Sequence, residues 1–248
     1  MLNFPRIHAS PEELVQWLES HLQFIENVPC HEHNLFGEKG TNDFEMTNFE
    51  DHSTTYNRKN VLAWSFNAFD RMFFNDTLHR RVRIEIVDPK SISGSYGKTN
   101  DLLTNIPEAV VPISPPALFA QIELADISEN PDFRESSRLF IVTLLHEMIH
   151  AFFIINTCRC SLNCQCRYGR QIGVTGHGTP WMKVALQIEK AMNHYFDGYW
   201  NLNRSVSFAK EYFYDPNFDE TELPEELIRS FEISADEVEE EIGHLRGS

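Results

Sequence analysis

Apolar residues in the first part of this chain recur at the spacing of amphipathic helices. Residues 10–13 read Ser-Pro-Glu-Glu, which combines an N-capping serine, a first-turn proline and acids near the positive helix end. The apolar positions that follow are Leu14, Trp17, Leu18 and Ile25. A second helix is predicted from Asn60 to about Asn75. Its core stripe is Leu62, Phe66, Phe69 and Phe73.

Alternating apolar and polar residues predict three short strands. Val82–Ile86 and Ala120–Leu124 alternate clearly, and a shorter strand is predicted at Gly94–Lys98. Residues 30–57 are polar and predict a linker or surface loop, and residues 100–116, rich in Pro and Asn, predict a long loop.

Two further helices are predicted in the second half. Residues 136–156 are apolar nearly all round, so that helix should be buried, and the other begins at Thr179-Pro180. This order predicts an α+β fold with a small sheet packed on helix 136–156. We expect an N-terminal helix and polar linker (1–55), a core domain (56–200) and an acidic C-terminal extension (201–248).

Negative charge is concentrated at the C-terminal end of the chain. The formal net charge is −16, and thirteen acidic but only two basic residues lie between Glu211 and Ser248. We expect a flexible tail from residue 216 that competes with nucleic acid for basic surfaces. The alternative is a tail that packs on the core domain through Leu223, Leu227 and Phe231.

Composition favours an intracellular protein, nuclear or cytoplasmic, with no membrane partner. The N-terminus has no apolar run typical of a secretory signal. The best candidate for a membrane span, residues 139–155, is interrupted by two His and one Glu. Four of the five Cys lie within nine residues, unlike the dispersed Cys of a disulfide scaffold.

Helix 136–156 contains His146-Glu147-Met148-Ile149-His150, an H-E-x-x-H pattern. Positions i and i+4 share a helix face, so both imidazoles can reach one metal ion. Glu147 lies about 100° round the helix from His146, beside the metal and not on it. Such a site binds Zn²⁺, and the Glu takes a proton from the water that attacks a carbonyl.

A catalytic zinc site keeps three protein ligands and one open position. Two residues are candidates for the third ligand. His177 lies between glycines just before a helix start, and Glu189 lies on that helix.

These residues resemble the SprT-like metalloprotease family, which includes Spartan. The resemblance rests on His146-Glu147-Met148-Ile149-His150-Ala151 followed by Gly176-His177-Gly178, and on Phe66-Asn67-Ala68-Phe69, Phe73-Phe74 and Leu78. It covers about residues 60–200. It implies a zincin-like catalytic domain with His146, His150 and His177 as zinc ligands and Glu147 as catalytic acid/base. Spartan-type members cleave proteins crosslinked to DNA and are activated by DNA, which implies protein substrates and single-stranded DNA or chromatin as partners.

An insertion between His150 and His177 departs from the family pattern. It contains Cys158, Cys160, Cys164 and Cys166, whose four thiolates could hold one structural zinc. Free thiols in a mobile loop and disulfides are the alternatives. The candidate nucleic-acid contacts in the same insertion are Arg159, Arg167 and Arg170, with no acid among them.

Three other signals are weaker. A second basic area, which could contact phosphates, consists of Arg80, Arg81, Arg83, Lys90 and Lys98. The alternative is an ordinary solvated surface whose charge is balanced by Glu85 and Asp88. The segment His31-Glu32-His33 could ligate metal or form a plain surface loop. Tyr96 could stabilise an oxyanion near the metal.

The sequence therefore favours a zinc-dependent endopeptidase that acts on folded or DNA-crosslinked proteins. One alternative is a zinc peptidase with no nucleic-acid link. The other is a non-catalytic module whose zinc shapes a peptide groove. An intact Glu147 argues against that module, because only catalysis needs the base.

Overall fold

The computed structural model describes residues 10–27, 55–92, 95–102, 118–127, 133–196, 199–216 and 223–247. Residues 30–54 of the predicted linker, including His31-Glu32-His33, lie outside these ranges. Residues 103–116 of the predicted loop also lie outside them. The described residues form eight α-helices and one three-stranded sheet, a mixed α+β fold. The chain divides into two compact units, Gln23–Ile155 and Met1–Leu22 with Asn156–Ser248. The domain boundaries at 55/56 and 200/201 stay a prediction.

The unit Gln23–Ile155 contains the sheet. Strand β1 (Val82–Val87) pairs in parallel with β3 (Ala120–Ala125), and β2 (Gly97–Asp101) pairs antiparallel with β3 on its other side. The alternating residues Ala120, Ile122 and Leu124 of the central strand are fully buried, which confirms the predicted alternation.

Two long helices lie in the described part of that unit. Helix α2 (Thr55–Phe74) begins five residues earlier than predicted, and its stripe of Leu62, Phe66, Phe69 and Phe73 is buried as expected. Helix α3 (Phe133–Asn156) carries the H-E-x-x-H pattern. The Phe74 and Phe152 rings of these helices have centroids 5.4 Å apart.

By length and composition alone, Glu135–Asn156 of α3 could also cross a membrane. More than half of its apolar window is buried within the protein, and the core helix of a soluble protein passes the same criterion. This feature is therefore weak evidence for a membrane, and the expectation of no membrane partner stays a prediction.

The other unit is helical in its described residues. It contains α1 (Pro11–Asn27) up to Leu22, α4 (Leu162–Ile172), α5 (Thr179–Tyr195), α6 (Arg204–Tyr214), α7 (Glu225–Ser230) and α8 (Ala235–Gly247). The predicted start of α1 is confirmed as a capping box. The Ser10 N–H donates to Glu13 Oε2 at 2.6 Å, and the Glu13 N–H donates to Ser10 Oγ at 3.2 Å.

The prediction of a flexible acidic tail is wrong for residues 223–247. Helix α8 packs against α6, and the buried apolar residues of this segment are Ile228, Phe231, Val238 and Ile242. The Phe231 ring meets the Phe208 ring edge-on at 6.0 Å between centroids. Of the three residues through which the alternative expected the tail to pack, only Phe231 is buried, while Leu223 is half-buried and the Leu227 side chain is 37% exposed.

Replacement of Phe231 by Ala should lower the free energy of unfolding by about 3–5 kcal/mol, because it leaves a cavity beside Phe208. Leu227→Ala on the neighbouring turn is the matched control and should cost less than about 1 kcal/mol. Urea unfolding of both variants measures the difference. Equal and negligible effects would mean that the tail does not pack.

Candidate metal centre

The two histidines of α3 face each other one turn apart. Their Nε2 atoms are 3.3 Å apart and both rings are partly buried. A tetrahedral zinc ion with Zn–N bonds of about 2.0–2.1 Å holds two ligand nitrogens roughly 3.3–3.4 Å apart. Burial, reinforced by the neighbouring His146, lowers the pKa of His150 well below its ordinary value. His150 is therefore neutral at pH 7, the form that binds a metal.

Glu147 is held beside this pair by a residue on the sheet. Its side chain is only 5% exposed, and burial raises its pKa to about 7. The Thr99 hydroxyl on β2 lies 2.7 Å from Glu147 Oε2 and 3.0 Å from its carbonyl oxygen. Donation to Oε2 favours the ionised carboxylate and opposes the effect of burial.

A glycine allows β2 to come this close to α3. A Cβ atom on Gly97 would lie 2.6 Å from Thr143 Cγ2 and 2.9 Å from Glu147 Cγ. Both contacts are shorter than side chains tolerate, so any other residue would displace the strand or Glu147. Neither Thr99 nor Gly97 belongs to a recognisable sequence motif, so the sequence alone did not mark them as parts of the site.

Replacing Thr99 by Val should move the acidic limb of any Glu147-dependent activity to higher pH by roughly one unit, since one hydrogen bond of about 1 kcal/mol is lost. Glu147 must be unprotonated to accept a proton. Its pKa rises when the Thr99 bond is removed, so more alkaline conditions are needed for the same activity.

Thr143→Val is the control for this prediction, because that hydroxyl donates to the Leu139 carbonyl at 2.7 Å. The pH–rate profile of the control should match the wild type. A Thr99→Val profile that also matches the wild type would mean that this hydroxyl does not set the charge of Glu147.

In the other unit, His177 is oriented by a chain of two hydrogen bonds. The Thr175 hydroxyl lies 2.9 Å from His177 Nδ1 and 2.6 Å from Glu211 Oε2. A carboxylate only accepts, so the hydroxyl donates to Glu211 and accepts from Nδ1–H. This leaves the lone pair of His177 on Nε2, the arrangement of a metal-ligating histidine with an outer partner.

Glu211 on α6 holds the whole loop that contains His177. Its carboxylate accepts from the backbone N–H groups of Val174, of Thr175 at 2.8 Å and of His177 at 3.1 Å. A second support comes from Gly178, whose N–H donates to the Ile172 carbonyl at 2.7 Å. The backbone of α4 comes so close to Gly178 that a Cβ there would collide with it, as the flanking glycines predicted.

Replacing Glu211 by Gln should weaken zinc binding by about 10–100-fold, because the amide loses an acceptor oxygen for the loop and for Thr175. The exposed Glu240→Gln makes the same charge change away from the loop and should have no effect. Competition with a chromophoric chelator measures both affinities. Equal affinities in the two variants would remove Glu211 from this role.

The alternative third ligand, Glu189, is already engaged in a buried network. The Leu202 N–H donates to its Oε1 and the Arg204 Nε donates to its Oε2, both at 2.6 Å. Arg204 also donates to the Phe231 carbonyl, so this ion pair ties α5 and α6 to the C-terminal segment. The two oxygens that a metal would need are occupied, which argues against Glu189 as a ligand.

Two groups of side chains in the described ranges could hold a metal ion. One consists of His146 and His150 on α3, with His177 of the other unit as their predicted third partner, and the other of Cys158, Cys160 and Cys164. Cys166, the predicted fourth thiolate, does not belong to the second group. Cys164 and Cys166 lie two residues apart on α4, about 200° round the helix, so their side chains point to different sides.

The structure places the remaining candidates apart from these groups or at the surface. Arg159 lies over the Tyr168 ring at 5.1 Å, whereas Arg170 is exposed and donates to the Cys166 carbonyl at 3.3 Å. Arg167 is partly exposed on α4, and the Tyr96 side chain is 55% exposed just before β2. In the second basic area, Arg83 forms an ion pair with Glu85, as expected for a solvated surface whose charges are balanced.

Comparison with known proteins gives no assignment. No protein-family model, curated protein or solved structure matches this chain.

Proposed function

We propose that this chain is a zinc-dependent endopeptidase with a zincin-like core that resembles the SprT-like proteases. The observation that carries the proposal is the pair of Nε2 atoms 3.3 Å apart on α3, with the buried Glu147 carboxylate fixed beside them by Thr99. His146, His150 and His177 would be the ligands. A zinc ion in such a site supplies a Lewis acid and lowers the pKa of water to near 7.

The residues of the chain supply the rest of the chemistry. Glu147, with a pKa of about 7, can accept a proton from the attacking water at neutral pH and return it to the leaving amine. Thr99 fixes the carboxylate, and Thr175 with Glu211 fixes the His177 ring. Preorganised groups of this kind need no rearrangement as the reaction proceeds.

The sheet supports a peptide as the substrate. Strand β2 is an edge of the described sheet, and it carries the residue that contacts Glu147. An edge strand can bind an extended peptide through backbone hydrogen bonds, largely independent of side-chain sequence. A peptide on β2 would run past Glu147, so we propose endopeptidase action on extended protein segments.

Proteins bound or crosslinked to DNA are the substrates that the family resemblance favours. In the described part of the second unit, residues 156–172 contain Arg159, Arg167 and Arg170 and no acidic side chain. Such a segment can contact phosphates, which supports an intracellular protease that acts near single-stranded DNA.

Cleavage of two substrates tests this proposal. The wild type should cleave casein and a DNA-binding protein, and single-stranded DNA should accelerate the second reaction only. Replacing Arg159, Arg167 and Arg170 by Gln should remove the acceleration and leave casein cleavage unchanged. Cleavage of both substrates without any DNA effect would leave a zinc peptidase with no nucleic-acid link. No cleavage of either protein would contradict the peptidase.

A further inference from the structure

Three cysteines converge where α3 ends and α4 begins. Cys158 Sγ lies 3.0 Å from Cys160 Sγ, and Cys160 Sγ lies 3.8 Å from Cys164 Sγ. All three sulfur atoms lie within 4.8 Å of one another. No disulfide joins these three thiols, because 3.0 Å is far longer than a disulfide bond of about 2.05 Å.

Local hydrogen bonds build this arrangement. Ser161 caps α4, with its Oγ accepting from the Cys164 N–H at 3.3 Å. The Gln165 side-chain amide donates back to the Arg159 carbonyl at 3.2 Å. The turn is therefore closed from both sides, and it brings the first turn of α4 against the segment that holds Cys158 and Cys160.

The Cys160–Cys164 distance and the local charge fit a metal ion, whereas Cys158 Sγ and Cys160 Sγ, 3.0 Å apart, would separate by roughly 0.8 Å to share it. A tetrahedral zinc ion with Zn–S bonds of about 2.3 Å holds two sulfurs roughly 3.8 Å apart, the separation of Cys160 and Cys164. Three thiolates and a divalent ion leave one negative charge. Residues 156–172 contain no carboxylate that would repel this negative charge.

We propose that Cys158, Cys160 and Cys164 bind a second zinc ion, distinct from the histidine centre, with a small exogenous ligand in its fourth position. The site is structural. It fixes the start of α4. The other end of that helix supports Gly178, the residue next to His177. The proposal does not depend on peptidase activity, because no residue of the histidine group takes part.

Cobalt substitution of the full chain tests the site, because thiolate-to-cobalt charge transfer absorbs strongly in the near ultraviolet and imidazole ligands give no such band. Wild-type protein loaded with Co²⁺ should show this band. Cys160→Ser/Cys164→Ser should lose it and lose about one of roughly two bound metal ions. Cys166→Ser, the matched control, should keep it.

A histidine variant separates this proposal from the proposed function. His146→Ala/His150→Ala should keep the thiolate band while losing the other ion. A wild type without the band, a band that survives Cys160→Ser/Cys164→Ser, or a Cys158–Cys160 disulfide in the purified protein would overturn the site. The wild-type spectrum decides the matter even if the double Cys variant does not fold.

Discussion

Glu147→Gln should lower the turnover number for peptide hydrolysis by about 10²–10⁴-fold and leave the fold and zinc content unchanged. The amide has the shape of the carboxylate and can still bind Thr99, but it cannot accept a proton. Burial favours the neutral form of this side chain, as its pKa of about 7 indicates, so the variant should be at least as stable as the wild type.

The control is Glu123→Gln, on β3, where the carboxylate accepts from Gln121 at 3.0 Å and is not part of either metal group. Its turnover should equal that of the wild type. Zinc analysis and circular dichroism of both variants show whether metal and fold are retained. If Glu147→Gln cleaves casein at the wild-type rate, Glu147 is not the base.

His177→Ala should remove most of the bound zinc at the histidine centre and nearly all activity, since a two-ligand site holds zinc weakly. Glu189→Ala should behave differently. It leaves Arg204 buried without its partner, which costs about 3–5 kcal/mol of stability, but the folded protein should still bind zinc.

Zinc content, activity and thermal unfolding of the two variants decide between the two ligands. The Cys160→Ser/Cys164→Ser background removes any contribution from the second metal group. If His177→Ala retains zinc and activity while Glu189→Ala loses both without loss of stability, Glu189 is the third ligand.

The elements that sequence predicted well are those set by local pattern. The spacing of His146 and His150 depends only on helix geometry, so a correct helix prediction placed both rings on one face. The strand at Ala120–Ala125 followed from alternation, and the start of α1 followed from the N-capping Ser10 and the Pro and acids after it.

The supporting residues could not be predicted, because tertiary structure brings them to the site. Thr99 lies 48 positions before Glu147, and Glu211 lies 34 positions after His177. A single Thr in a polar strand or a single Glu in an acidic region has no pattern that marks it. Only the fold shows which hydroxyl and which carboxylate face the site.

The C-terminal segment packs, contrary to the expectation of a flexible tail, because an apolar stripe runs through its acidic sequence. Val238 and Ile242 lie four residues apart on α8 and are both buried, among acids that face solvent. A high count of Glu therefore coexists with an apolar stripe. That stripe packs with α6, the helix that also contains Glu211.

We propose above all that zinc bound by the three histidines makes this chain a peptidase. The most direct measurement is casein cleavage by one wild-type sample before zinc removal with a chelator, after removal, and after stoichiometric zinc is returned. Cleavage should disappear with the metal and return with it, and Glu147→Gln treated in parallel should stay inactive throughout. Cleavage that persists in the zinc-free protein, or that zinc fails to restore in a folded sample, would contradict the claim.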